Sequence, residues 1–122
     1  MKLHLTTAEN NNLITAYGDG YIAINNQRYT QNLIVLPQSL MLDWQAASFD
    51  DLNNDHFKKI IALKPEVVLL GTGAKHLFLH PKHYQDLSAL GIALECMTTS
   101  AACRTYNILM SEGRNVAAAL II

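Results

Sequence analysis

With 122 residues, the chain has the length of one domain and can bury a core that needs no disulfide or metal to hold it. It is 50% hydrophobic and 16% charged, and nine basic against ten acidic residues leave a formal charge of −1. That balance excludes the electrostatic footprint expected of a nucleic-acid or anionic-membrane binder.

The first residues turn polar at once, with Thr6, Thr7, Glu9 and three asparagines. They have neither the apolar stretch of a signal peptide nor the Arg-rich character of a transit peptide. The longest apolar run, residues 116–122, is too short to span a bilayer. A cytoplasmic protein without membrane insertion is expected, folded as one domain over residues 1–122 with an ordered core from about residue 13.

The first third predicts β-hairpins. Short segments at 13–17, 21–24, 27–29 and 33–36 are separated by Gly18-Asp19-Gly20, by Asn25-Asn26 and by polar residues, and the last, an apolar stretch, stops at Pro37; these are turn signals between short strands. Residues 40–44 offer one more strand. The period then changes. Phe57, Ile60, Ile61 and Lys64 have helical spacing, and Pro65 closes a helix over about 54–63. Residues 67–70, Val-Val-Leu-Leu, read as a strand buried on both faces.

Alternation continues to the end of the chain. Pro81 opens a helix that Gly91 stops, residues 92–97 form a strand, and Thr98, Thr99 and Ser100 offer caps for a helix over about 101–112 that Gly113 closes. Residues 116–122 are the final strand. The predicted fold is α/β and three-layered, a mixed central sheet with N-terminal β-hairpins and helices packed on it. The strands at 67–70, 92–97 and 116–122 are all expected in the core.

Gly71-Thr72-Gly73 follows a buried strand, where α/β sheets bind ligands, and its glycines permit close backbone approach. His76 stands where the dinucleotide fingerprint needs glycine, and no Gly-Lys-Ser/Thr completes a phosphate loop. The helix start at Thr98 and Ser100 presents backbone N–H groups to an anion, with Arg104 and Asn107 nearby. Cys103 falls in the first turn, where a thiol can be activated, yet Ala101 and Ala102 beside it suggest a small core residue. His76, His80 and His83 are poorly spaced for zinc, and Cys96 and Cys103 match no ligand pattern. No nucleophile elbow or carboxylate pair occurs. No catalytic constellation, cofactor or metal is therefore implied.

Three further segments complete a pattern with that turn. They are Met97-Thr98-Thr99, residues 102–109 (Ala-Cys-Arg-Thr-Tyr-Asn-Ile-Leu), and Glu112-Gly113-Arg114. In order and spacing the chain from about residue 13 resembles a small α/β domain family of unassigned biochemical activity. That family includes the mitochondrial respiratory complex I assembly factor three and bacterial and archaeal relatives. The resemblance implies a three-layer fold around a mixed sheet, no known catalytic residues, and a role exercised through protein contacts.

Two functions are carried forward. The first is a non-enzymatic protein-binding or assembly factor whose partner is another protein. The alternative is a small-molecule or anion-binding domain, enzymes included, with its site at Gly71, Thr72, Gly73, Thr98, Ser100, Arg104 and Asn107. A deep pocket lined by Thr72, Arg104 and Asn107 would favour the alternative, and a shallow apolar patch the first.

Overall fold

A computed structural model describes residues 11–122; the reading of the first residues as free of a targeting signal lies outside them. The hairpin signals produce a meander of β1 (Ile14–Gly18), β2 (Tyr21–Ile24) and β3 (Gln27–Tyr29), antiparallel in that order. Asn25 and Asn26 close the second turn at φ of 52° and 69°. A two-residue turn with both positions left-handed matches the strand twist, and asparagine tolerates that backbone.

The remaining strands form a separate five-stranded sheet. They are β4 (Leu33–Leu36), β5 (Ser39–Met41), β6 (Val67–Gly71), β7 (Ala93–Met97) and β8 (Val116–Leu120), in the order β5-β4-β8-β6-β7. β6 runs parallel to β7 and β8, whereas β4 is antiparallel to β5 and β8. Parallel neighbours need crossovers. The first of these carries helix α2 (Gln85–Ala89) and the second helix α3 (Thr99–Ser111), while α1 (Lys58–Ala62) leads into β6.

Strand alternation sorts the core into two layers. Leu33, Val35, Leu69 and Ala118 face α3, which brings Ala102, Cys103, Tyr106 and Met110 to them. Ile34, Leu70, Ala117 and Ala119 face the other way, toward Phe57, Ile60 and Leu87 around α1 and α2. Every residue of central β8 is fully buried, and its three successive alanines let helices pack close on both sides. Ile14, Ile22 and Ile24 of the small sheet join the same core as α3. Helix α3 is thus the element that ties the meander to the main sheet.

Two of the three strands expected in the core lie at its centre. β7 does not; it is the sheet's edge, with Ala93 and Glu95 exposed. The α3 crossover carries the chain from β7 past β6 to β8 and leaves β7 outermost. Its sequence, Ala-Leu-Glu-Cys-Met, alternates as expected of a strand buried on one face only. The helix expected over 54–63 begins as a 3-10 turn, Asn54–Phe57, capped by the Asn53 side chain, before α1. Among the described residues, no helix is long and apolar enough to cross a membrane.

Candidate functional site

Parallel pairing aligns Gly71 with Met97 on one side and with Leu120 on the other, so the carboxyl ends of β6, β7 and β8 coincide. The turn at residues 71–73 and the start of α3 meet there, as the sequence predicts. The Thr99 N–H donates to the Gly73 carbonyl at 3.0 Å, and the Gly73 N–H donates to Thr99 Oγ1 at 2.8 Å. The Thr99 hydroxyl in turn donates to the Ile121 carbonyl at 2.6 Å. One side chain therefore joins β6, α3 and the end of β8.

That junction requires Gly71. A Cβ there would lie 3.0 Å from both Thr99 Cα and Leu120 Cδ2, closer than ordinary packing allows. Thr72 is buried at 5% exposure. Its N–H donates to the Met97 carbonyl at 2.8 Å, and its hydroxyl accepts from the Leu77 N–H at 3.1 Å while reaching the Lys75 carbonyl. Thr72 holds its own loop in shape and does not face outward.

Thr98 caps α3, its Oγ1 accepting from the Ala101 N–H at 3.3 Å, and its carbonyl accepts from the Ala102 N–H at 2.9 Å. With the Thr99 N–H on Gly73, much of the donor set expected to hold an anion is occupied from within the fold. Arg104 and Asn107 sit further along α3, on the side facing β1. Arg104 Nη1 donates to the Tyr17 hydroxyl at 3.1 Å. Asn107 uses both ends of its amide on one residue: Oδ1 accepts from the Ile14 N–H at 3.0 Å and Nδ2 donates to the Ile14 carbonyl at 2.8 Å. It acts as a short stretch of neighbouring strand. Asn107→Ala should cost about 1–3 kcal/mol, because Ile14 is left with a donor and an acceptor unpaired. A urea titration of the variant checks this.

A cleft of about 570 Å³ opens between the β1–β2 hairpin and this junction. Ile121 and Ile122 contribute apolar wall, Tyr17 and Tyr21 contribute rings, and Thr98, Thr99 and Ser100 contribute hydroxyls. Of the sequence-derived candidates, Gly73, Thr98 and Ser100 line it; Gly71, Thr72, Arg104 and Asn107 do not. A second cavity, about 380 Å³, lies at the opposite end of the sheet near Pro37, Met110 and Asn115. Beside it, the Asn115 N–H and the Arg114 guanidinium hold the Glu66 carboxyl below its usual range.

The comparisons with known proteins bear on this arrangement. A family model described as "Protein of unknown function (DUF498/DUF598)" matches residues 14–121. The chain belongs to this family. The mouse (Mus musculus) protein named NADH dehydrogenase (ubiquinone) 1 alpha subcomplex assembly factor 3 is 36% identical over 110 residues, covering 88% of this chain and 59% of the relative. The chain thus spans under two thirds of that relative's length. A crystal structure of a Bordetella parapertussis protein is 40% identical with a TM-score of 0.85, covering 91% of this chain and 95% of the other. A solution structure of a Bordetella pertussis protein, described as an Mth938-like domain, is 34% identical with a TM-score of 0.79 over 90% of this chain and 85% of the other. The resemblance carried by residues 71–114 led to the same group.

In this DUF498/DUF598 chain the remaining reactive side chains are quiet. Cys103 is fully buried, and burial pushes its thiol up to about 12, far from the thiolate a nucleophile needs. Cys96 is half-buried and burial raises its thiol as well. Iodoacetamide at neutral pH should therefore modify Cys96 slowly and Cys103 only after unfolding, which mass spectrometry of native and denatured samples would show. The His76 ring packs 4.5 Å from the Phe78 ring, and His80 Nδ1 caps a 3-10 turn by accepting from the Lys82 N–H. Among the described residues, no group of three or more His, Cys, Asp or Glu is placed to hold a metal.

Sequence reasoning missed Tyr17, Tyr21 and Ile22 as cleft residues. Two tyrosines flanking Gly18-Asp19-Gly20 mark a hairpin, but nothing local says that the hairpin tip reaches the start of α3. Thr99 had a local signal. It stands with Thr98 and Ser100 as an equal capping candidate, and only the structure assigns the cap to Thr98 and the junction to Thr99.

Proposed function

We propose that this chain is a non-enzymatic protein-binding factor, assisting the assembly of a partner protein or complex and acting in the cytoplasm as a single domain. The observation that carries the proposal is its similarity, along most of its length, to a protein named as an assembly factor. Two physical features support it. The side chains with catalytic potential, Cys103, Thr72 and Asn107, are buried or bound to the fold's own backbone. The cleft wall combines aliphatic and aromatic surface with hydroxyls, and among the described residues Asp19 is its only side-chain carboxylate. An aromatic and aliphatic surface with scattered hydroxyls suits protein recognition more than proton transfer.

One observation favours the alternative. The cleft's volume of about 570 Å³ falls within the range of small-molecule sites, and Gly73 and Ser100 line it. One experiment separates the two. The tagged chain is recovered from native extract of its source organism, cross-linked, and analysed for both retained proteins and co-purifying metabolites. The expected result is a discrete protein retained in fixed proportion and cross-linked to this chain. Stoichiometric recovery of a small molecule without a protein would overturn the proposal.

A further inference from the structure

The loop from β6 to α2 sends neighbouring apolar side chains in opposite directions. Leu79 is 6% exposed and belongs to the core layer around α1 and α2. Phe78 beside it is 79% exposed, the highest value among the large apolar side chains of the described residues, and Leu77 is exposed as well. The backbone is fixed on both sides of the ring. Upstream, the Thr72 hydroxyl accepts from the Leu77 N–H at 3.1 Å and reaches the Lys75 carbonyl. Downstream, His80 Nδ1 accepts from the Lys82 N–H at 3.1 Å, and Asn54 Nδ2 donates to the Lys82 carbonyl at 2.9 Å. The His76 ring supports the Phe78 ring from 4.5 Å. An aromatic side chain held out from a bonded loop has little freedom left to lose on binding, and such residues anchor protein interfaces.

The loop's own charge has one sign. Between Glu66 and Asp86 the sequence carries no carboxylate. Lys75 and Lys82 are exposed, and among the described residues neither belongs to an ion pair. The Asp55 carboxylate, close to Asn54, is taken by Lys58, which Asp86 also attracts. Glu95 alternates with Leu94 and Cys96, which pack in the same layer as Leu79, so it points to the other face of the sheet. The complement of this loop is an apolar pocket with carboxylates on its rim. A bilayer also accepts aromatic tips beside lysines, but polybasic lipid recognition takes about four to eight cations, and stable attachment takes a second anchoring signal. One ring and two lysines fall short of that, whereas in a protein pocket a few residues carry most of the binding. Gly73 and Ala74, which lead into the loop, line the cleft, so the ring extends the surface proposed above for protein recognition.

We propose that Phe78 is the anchor by which this chain docks its partner protein, entering an apolar pocket of the partner whose rim presents carboxylates to Lys75 and Lys82. This rests on the protein-binding reading above and names the docking residue and the chemistry of the partner's surface.

The test places the photo-cross-linking amino acid p-benzoylphenylalanine at position 78 of the whole chain, produced in its source organism. The same group at positions 90 and 108, where Leu90 and Ile108 are also exposed, is the control. Irradiation should join position 78 to one discrete protein, through a peptide rich in apolar residues with Asp or Glu nearby, and the controls should not. Against that protein in purified form, Phe78→Ser should weaken binding about tenfold or more, the scale for an interface anchor, with the thermal melt unchanged because the ring is exposed. Lys75→Gln with Lys82→Gln should also weaken binding and flatten its dependence on salt. Adducts at position 90 or 108 but not at 78, or an attachment peptide without carboxylates, would overturn the inference. So would Phe78-dependent binding to vesicles of phosphatidylcholine and phosphatidylserine without a protein adduct, which would make the loop a lipid contact. If the extract yields a partner that binds the Phe78→Ser chain as well as the parent, the protein-binding reading survives and this inference falls. If neither the extract nor position 78 yields a protein, both fall.

Discussion

Tyr106→Ala should lower the unfolding free energy by about 3–5 kcal/mol, the range for deleting a large buried aromatic, whereas Tyr106→Phe should cost only about 1 kcal/mol. Tyr106 is among the largest fully buried side chains. Its ring lies in the core that α3 shares with Ile14 and Ile24 of the small sheet and Leu69 and Ala118 of the large one, so alanine opens a cavity between two sheets and a helix. Its hydroxyl donates to the Asn12 carbonyl at 2.8 Å, and phenylalanine removes only that bond. Burial raises the phenol well above its usual value, so it remains a neutral donor across the working pH range. Urea unfolding followed by fluorescence of Trp44, the single tryptophan, measures both variants. Trp44 belongs to the opposite core layer, so its signal reports the whole domain. An alanine variant as stable as the parent would show that α3 does not hold the two sheets together.

Gly71→Val should cost about 3 kcal/mol, toward the upper end for overpacking a rigid site. The first added carbon lies 3.0 Å from Thr99 Cα, a backbone atom, and 3.0 Å from Leu120 Cδ2. Two further methyl groups leave no rotamer that escapes both β8 and α3. The start of α3 must move, and with it the bonds of Thr99 to Gly73 and Ile121. Gly73→Ala is the control. Gly73 has φ of +96°, and an added Cβ meets nothing within 4 Å. Its penalty is conformational, about 1–2 kcal/mol for an L-residue in that region. Thermal melts should therefore rank parent, Gly73→Ala and Gly71→Val in falling order. The reverse order would mean that turn conformation, not the close approach of β6 to α3, limits this junction.

Much of the fold was legible in the sequence because its signals are local. Residues 67–70 form a continuous branched apolar run and become part of β6. Residues 116–120, continuous and apolar though rich in alanine, become β8. The apolar spacing of Ala102, Tyr106 and Met110, between a Thr cap and Gly113, becomes α3 nearly residue for residue. The site was legible in part for a related reason. Parallel strands linked by crossovers must end together, so residues 71–73 and the start of α3 had to meet once the elements were recognised.

Strand order was not legible, and β7 shows why. Residues 92–97 read as a strand from their own composition, but whether that strand is central or at the edge depends on where α3 delivers β8. The roles of Arg104 and Asn107 were equally hidden. Sequence places an Arg and an Asn on a helix; their partners Tyr17 and Ile14 lie 87 and 93 residues away in the chain. By itself the sequence determined which segments become strands and helices, through hydrophobic period, caps and turn residues acting over a few positions. Tertiary structure alone decided that the N-terminal meander docks on α3, and that docking turns a hairpin tip and a helix start into a cleft. The reason is that a carboxamide on α3 and a strand backbone commit to each other only after the intervening chain has folded, when each is the other's nearest replacement for water.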